Sequence, residues 1–129
     1  MAKLLWAFAA DQFIVDRGGK FSIIGIWENV FAQAFPALHP QLFIVAGWQG
    51  APMASLTSEV RIWVPSGALL STSGATPLQL GPTGKGVSAQ QFAPLQLMQP
   101  GVYRVDISLN GAVVHKLELT AGVPQVPNA

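Results

Sequence analysis

Gly101-Val-Tyr-Arg-Val-Asp-Ile-Ser-Leu109 alternates: Tyr103, Val105, Ile107 and Leu109 fall on one side of an extended chain, and Arg104, Asp106 and Ser108 on the other. A period of two with one apolar face marks a strand that covers a core on one side and meets water on the other. Asn110-Gly111 follows, a dipeptide that tolerates positive φ and closes hairpins. Ala112–Thr120 then returns, with Val113, His115, Leu117 and Leu119 on one face and Lys116 and Glu118 opposite. A two-residue loop pairs Leu109 with Ala112, which sets Ile107 opposite Val114 and Val105 opposite Lys116 and mixes the faces. A three-residue loop pairs odd positions with odd. Because one face is buried, the hydrophobic match decides the register. The sequence therefore predicts a three-residue loop with Gly111 in a left-handed bulge position.

The same period governs the rest of the chain. Strands are predicted at Leu4–Val15, Lys20–Trp27, Gln41–Gln49, Leu56–Val64, Leu69–Ser71 and Val87–Met98. Asp16-Arg17-Gly18-Gly19 and Gln99-Pro100-Gly101 supply turns. Gly74–Gly86 reads as a Gly/Pro/Thr loop, and Val30–Phe35 as one turn of helix before Pro36. Seven to eight short strands separated by turn signals give an all-β fold, a single antiparallel β-sandwich of immunoglobulin-like or jelly-roll-like kind. Residues 1–122 form one domain in this reading, and 123–129 an extended Pro-rich tail. Tyr103 follows Pro100-Gly101, where a tyrosine in immunoglobulin-like sandwiches ties its strand to the preceding corner through its hydroxyl.

Composition narrows the function classes. Only 13 of 129 residues carry a formal charge, 10% of the chain, against about 25% in ordinary globular proteins. An apolar fraction of 50% is incompatible with intrinsic disorder. A net charge of +1 with scattered basic residues lacks the electrostatic footprint of a nucleic-acid binder. With no cysteine, disulfides, zinc ribbons and thiol chemistry are excluded. The longest apolar runs, Leu4–Ala10 and Leu42–Trp48, are seven residues each, where a spanning helix needs about 20. The first of them reads as a strand, not as a signal peptide. A cytoplasmic chain with no membrane partner is expected, a virion or assembly component being the other setting.

No constellation for catalysis stands out. His39 and His115 lack acidic or histidine neighbours at ligand spacing and read as structural. Asp11, Asp16 and Glu28 are too few for a calcium site, and Asp16 reads as a turn-initiating residue. Gly81-Pro-Thr-Gly-Lys-Gly86 departs from the phosphate-loop spacing. Neither a nucleophile motif nor an acid–base pair is present. No catalytic residue, metal or cofactor is expected.

The charges are unevenly placed. None lies between Asn29 and Ser58 or between Ile62 and Gly84. Within the first gap, Gln41–Gln49 is apolar on both faces: Leu42, Ile44, Ala46 and Trp48 on one, Phe43, Val45 and Gly47 on the other. Such a strand needs covering on both sides. Asn29–Pro40 can fold over it as a lid, through Phe31, Phe35 and Leu38, or another chain can cover it. Of the four tryptophans, Trp27 and Trp48 share parity with apolar neighbours and read as core. Trp63 shares parity with Glu59 and Arg61 and faces outward.

Three segments carry a family resemblance: Gly19-Lys-Phe-Ser-Ile-Ile-Gly-Ile-Trp27, Phe35-Pro-Ala-Leu-His-Pro40, and Pro100-Gly-Val-Tyr-Arg-Val105. Their order and spacing resemble a family of small bacterial and phage-associated β-sandwich proteins of unknown function, over Ala9 to Thr120. Family members often carry Cys-Asp where this chain has Ala10-Asp11. The resemblance implies a fold and transfers no catalytic residue.

The functional expectation is a non-enzymatic β-sandwich, structural or interactive, that self-assembles as a homo-oligomer or docks on a partner protein. The candidate interface is Phe31, Phe35, Leu38, Phe43, Val45 and Trp63. The alternative is a module that binds a small molecule or glycan beside Trp63 or Trp48.

Overall fold

The computed structural model describes residues 2–26 and 29–122. Among these there is no helix. Twelve strand segments follow one another: β1 (Lys3–Val15), β2 (Phe21–Ile26), β3 (Asn29–Phe31), β4 (Ala37–His39), β5 (Leu42–Gln49), β6 (Ser55–Trp63), β7 (Leu69–Thr72), β8 (Thr76–Gln79), β9 (Lys85–Phe92), β10 (Leu95–Leu97), β11 (Gly101–Leu109) and β12 (Ala112–Gly122). One sheet has the order β2-β1-β5-β9; the larger runs β3-β12-β11-β6-β7, with β8 also paired to β6; β10 and β4 form a short ribbon. Every pairing is antiparallel except β12 with β3.

The sandwich matches the alternation, and the extra strands have local causes. The Val87–Met98 strand is two elements, because Pro94 lacks the N–H that a continuous ladder needs. β8 lies within Gly74–Gly86, where Leu56 pairs with Leu78 and Leu78 is buried. The helical turn expected at Val30–Phe35 is not formed. Asn29–Phe31 instead extends beside Thr120–Gly122.

The core lies between the sheets. β5 contributes Leu42, Ile44, Ala46 and Trp48, β6 contributes Val60 and Ile62, and β11 contributes Tyr103, Val105 and Ile107. Two buried polar links sit in it. Trp48 Nε1 donates to Ser88 Oγ at 2.8 Å, and Gln90 Nε2 on β9 donates across to Ser58 Oγ on β6 at 2.7 Å. Each satisfies groups whose burial unpaired costs about 1–3 kcal/mol. Tyr103 Oη donates to the Gln99 carbonyl at 2.6 Å, the corner bond that the Pro-Gly-Val-Tyr sequence predicts.

The β11–β12 hairpin corrects the register argument. Leu109 pairs with Ala112, so the loop has two residues. Asn110 and Gly111 both have positive φ, 49° and 86°, as the favoured two-residue turns require. The odd-with-odd pairing survives all the same: Tyr103 faces Leu119, Val105 faces Leu117 and Ile107 faces His115. A register shift after Ile107, where Ser108 faces Val113, reconciles the two. Turn chemistry decides the tip, the buried face decides the strand, and the extra residue is absorbed between them. Val113 and Val114 are exposed as a result.

Strand β1 does not run straight. Trp6 and Val15 are nine residues apart, about 30 Å when extended. Val15 pairs with Phe21, yet the Phe21 ring lies 6.0 Å from that of Trp6. The outer half of the β1–β2 hairpin therefore folds back over the four-stranded sheet. The fold begins where β1 leaves β5, after the Ala10–Phe43 pair. There Gly25 has φ 72° and abuts Asp11 so closely that a Cβ would meet the carboxylate. Trp6 lies on the sheet's outer face, its indole occupying the space a side chain at Gly47 would need.

Candidate functional site

The folded-back hairpin creates a cleft of about 580 Å³ between the arm and the sheet. Phe13, Val15 and Phe21 line it from the arm, and Trp6, Gly47 and Val87 from the sheet. The rings are in mutual contact, Phe13 at 5.8 Å from Phe21 and Trp6 at 5.7 Å from Phe8. Lys85 is the one charged residue in its lining.

The β1–β2 hairpin is also rich in exposed apolar side chains. Leu5, Phe8, Ile14, Val15, Phe21, Ile24 and Ile26 all lie on β1 or β2 and are exposed. β2 ends its sheet, so one side of its backbone has no strand partner among the described residues. Edge strands are commonly blunted by charge or proline, and Phe21–Ile26 contains neither.

The outer face of the larger sheet is the polar counterpart. Trp63 pairs with Arg104 and Arg61 with Asp106, while Lys116 flanks Asp106 from β12. Asp106 is only 6% exposed. Its carboxylate accepts from Trp63 Nε1 at 3.0 Å and from Arg104 Nε at 3.1 Å. The Arg104 guanidinium stands 5.3 Å from the Trp63 ring centre, within cation–π range. Glu59 accepts from Arg61 Nε at 2.8 Å and from Thr72 Oγ1 at 2.8 Å. Those two bonds, the arginine's first, hold its carboxyl below the ordinary glutamate range.

A third feature is a corner where His39 Nε2 lies 3.8 Å from Asp11 Oδ1 and Gln41 Nε2 donates to the Asp11 carbonyl at 3.0 Å. Among the described residues no three His, Cys, Asp or Glu side chains gather as metal ligands. Asp16 does initiate its turn, its Oδ1 accepting from the Gly18 and Lys20 amides at 2.8 and 3.0 Å.

The five interface candidates whose side chains are described are not brought to one surface. Val45 is fully buried within the chain, between Phe8 on β1 and Ala89 on β9. Phe43 is half-buried. Phe35 packs against the core, and Leu38 is 64% exposed on the β4–β10 ribbon. Trp63 belongs to the other sheet. The Phe31 side chain, Trp27, Glu28 and the tail 123–129 lie outside the described residues. Facing Gly47 and Val87, the β1–β2 arm covers the outer side of β5 in the place where Asn29–Pro40 was expected as the lid. The signal for this was present in Leu4–Ala10 and Phe21–Ile26, which are apolar on both faces like β5 itself.

Two antiparallel sheets around a shared core, not closed into a barrel, place the chain in the β-sandwich class. The chain belongs to a family of unknown function, DUF6941, whose profile matches residues 5–122. No curated protein matches by sequence. Among solved structures, the chain is similar to part of the Pseudomonas fluorescens alkylpurine DNA glycosylase AlkC, bound to DNA containing an abasic site analog. The TM-score is 0.57 at 12% identity, over 95% of this chain and 30% of that one. It is also similar to part of a beta-glucosidase from Listeria innocua in complex with isofagomine, with TM-score 0.56 and 7% identity over 97% of this chain and 17% of that one. The chain thus spans less than a third of either protein, and at such identities the likeness concerns the fold. Among the described residues no helix is long and apolar enough to cross a membrane.

Proposed function

We propose that this chain is a non-enzymatic interaction module that assembles with a second copy of itself through strand β2. The observation that carries the reading is the unblunted edge: Phe21–Ile26 is uncharged, lacks proline, and among the described residues is hydrogen-bonded as a strand to β1 alone. An antiparallel copy satisfies the open backbone groups and joins two four-stranded sheets into one. With the two-fold between the Ile24 residues, exposed Ile24 meets its copy and Ser22 meets Ile26. A net charge of +1 adds little repulsion between copies.

The contact is proposed at β2 because β5, apolar on both faces, is already covered by its own chain at Val45. Light scattering or sedimentation tests the reading. The wild-type chain is expected at twice its 13.7 kDa mass. Ile24→Lys, which charges the edge at an exposed position, is expected at the chain mass with unchanged circular dichroism. Leu69→Lys, exposed on β7 at the edge of the other sheet away from β12, is expected to remain a dimer. A wild-type protein at the chain mass at high concentration would overturn the proposal.

A further inference from the structure

We infer that the cleft beneath the β1–β2 arm is a binding site for a small apolar acid, a molecule with an aromatic or branched body and one carboxylate. The walls select the body. Trp6, Phe13 and Phe21 line the opening, Phe21 being 6.0 Å from Trp6 and 5.8 Å from Phe13 between ring centres. Flat hydrophobic groups stack well on such surfaces. The volume of about 580 Å³ lies within the range of small-molecule sites, about 300–1,000 Å³.

The charge selects the head group. The lining holds no carboxylate, hydroxyl or amide side chain, and Lys85 is its single charged residue. No ion pair joins Lys85 to another described residue. The exposed Lys85 ammonium beside an apolar wall favours an anion, and a carboxylate brought to it forms a charge-assisted hydrogen bond. A sugar fits poorly, because its hydroxyls need both donors and acceptors, and the side chains of the lining offer only donors, the Lys85 ammonium and the indole N–H groups.

Calorimetry with 2-naphthoate and its uncharged analogue naphthalene-2-methanol tests the site. The wild-type protein is expected to bind the acid about tenfold more tightly than the alcohol, the effect of one charge-assisted bond. Lys85→Gln is expected to remove that difference while leaving alcohol binding in place. Val87→Trp, which fills the cleft from β9, is expected to abolish binding of both. Ile24→Lys is expected to bind the acid as the wild type does, so the site stands or falls separately from the β2 contact. Equal affinity for acid and alcohol in the wild type, no change in Lys85→Gln, or no binding of either at millimolar concentration would overturn the assignment.

Discussion

The Trp63 indole donates its proton to the Asp106 carboxylate across the β6–β11 ladder at 3.0 Å. The same carboxylate accepts from Arg104, whose guanidinium covers the Trp63 ring. The three side chains form one unit on the outer face, and Asp106 is its buried member. Asp106→Ala strands the indole N–H and is expected to destabilise the fold by about 1–3 kcal/mol. Urea unfolding reads this directly, and Trp63→Phe with Asp106→Ala is expected to cost less than the two changes summed.

The Gln90–Ser58 bond links the sheets through the core, Ser58 at 1% and Gln90 at 5% exposure. Ser58→Ala leaves the Gln90 amide without that acceptor and is expected to lower stability by about 1–3 kcal/mol. Ser58→Ala with Gln90→Leu removes both polar partners together. Chemical denaturation is expected to place the double variant above the single one.

Gly111 has φ 86° and nothing within 4 Å of where a Cβ would sit. A substitution there meets only the backbone penalty of the left-handed region. Gly111→Val is expected to cost about 1–2 kcal/mol, measured by thermal or urea unfolding. Gly111→Asn is expected to cost less, because asparagine tolerates that region.

Glu59 gives the outer face an acid dependence. Its carboxyl is held below the ordinary glutamate value by the bonds from Arg61 and Thr72, so the folded chain prefers the charged form more than the unfolded chain does. Stability from this group is in place above the unfolded value and is lost as pH falls through the lowered folded value. Arg61→Gln is expected to flatten that part of the stability profile in the acid range, read by urea unfolding at a series of pH values. The side chains are solvent-accessible, so screening keeps the effect small and salt-dependent.

Much of the architecture was legible in the chain. Alternation in Gly101–Leu109 identified the buried face of β11, and Tyr103 found its corner. What escaped were features set by two competing local rules or by distant contacts. At the Asn110-Gly111 tip, turn chemistry and facial matching each held, at different points, and only the shift after Ile107 allowed both. The two-sided greasiness of β5 correctly called for cover, but pattern alone does not say which segment supplies it. The cover came from β1–β2, because Gly25 and Asp11 let that hairpin turn back. The outward parity of Trp63 was readable. Its bond to Asp106 depends on a cross-strand register that no local window contains.

The pairing of two β2 strands is tested most directly by a single thiol at their proposed centre. The chain contains no cysteine, so Ile24→Cys introduces the sole reactive group. Paired antiparallel strands hold opposed Cα atoms about 4.5–5.5 Å apart, within the span of a disulfide. Ile24→Cys is expected to convert to a covalent dimer under mild oxidation, far faster than Leu69→Cys, which is exposed on β7 at the edge of the other sheet away from β12. Equal, slow cross-linking of the two variants would contradict the account.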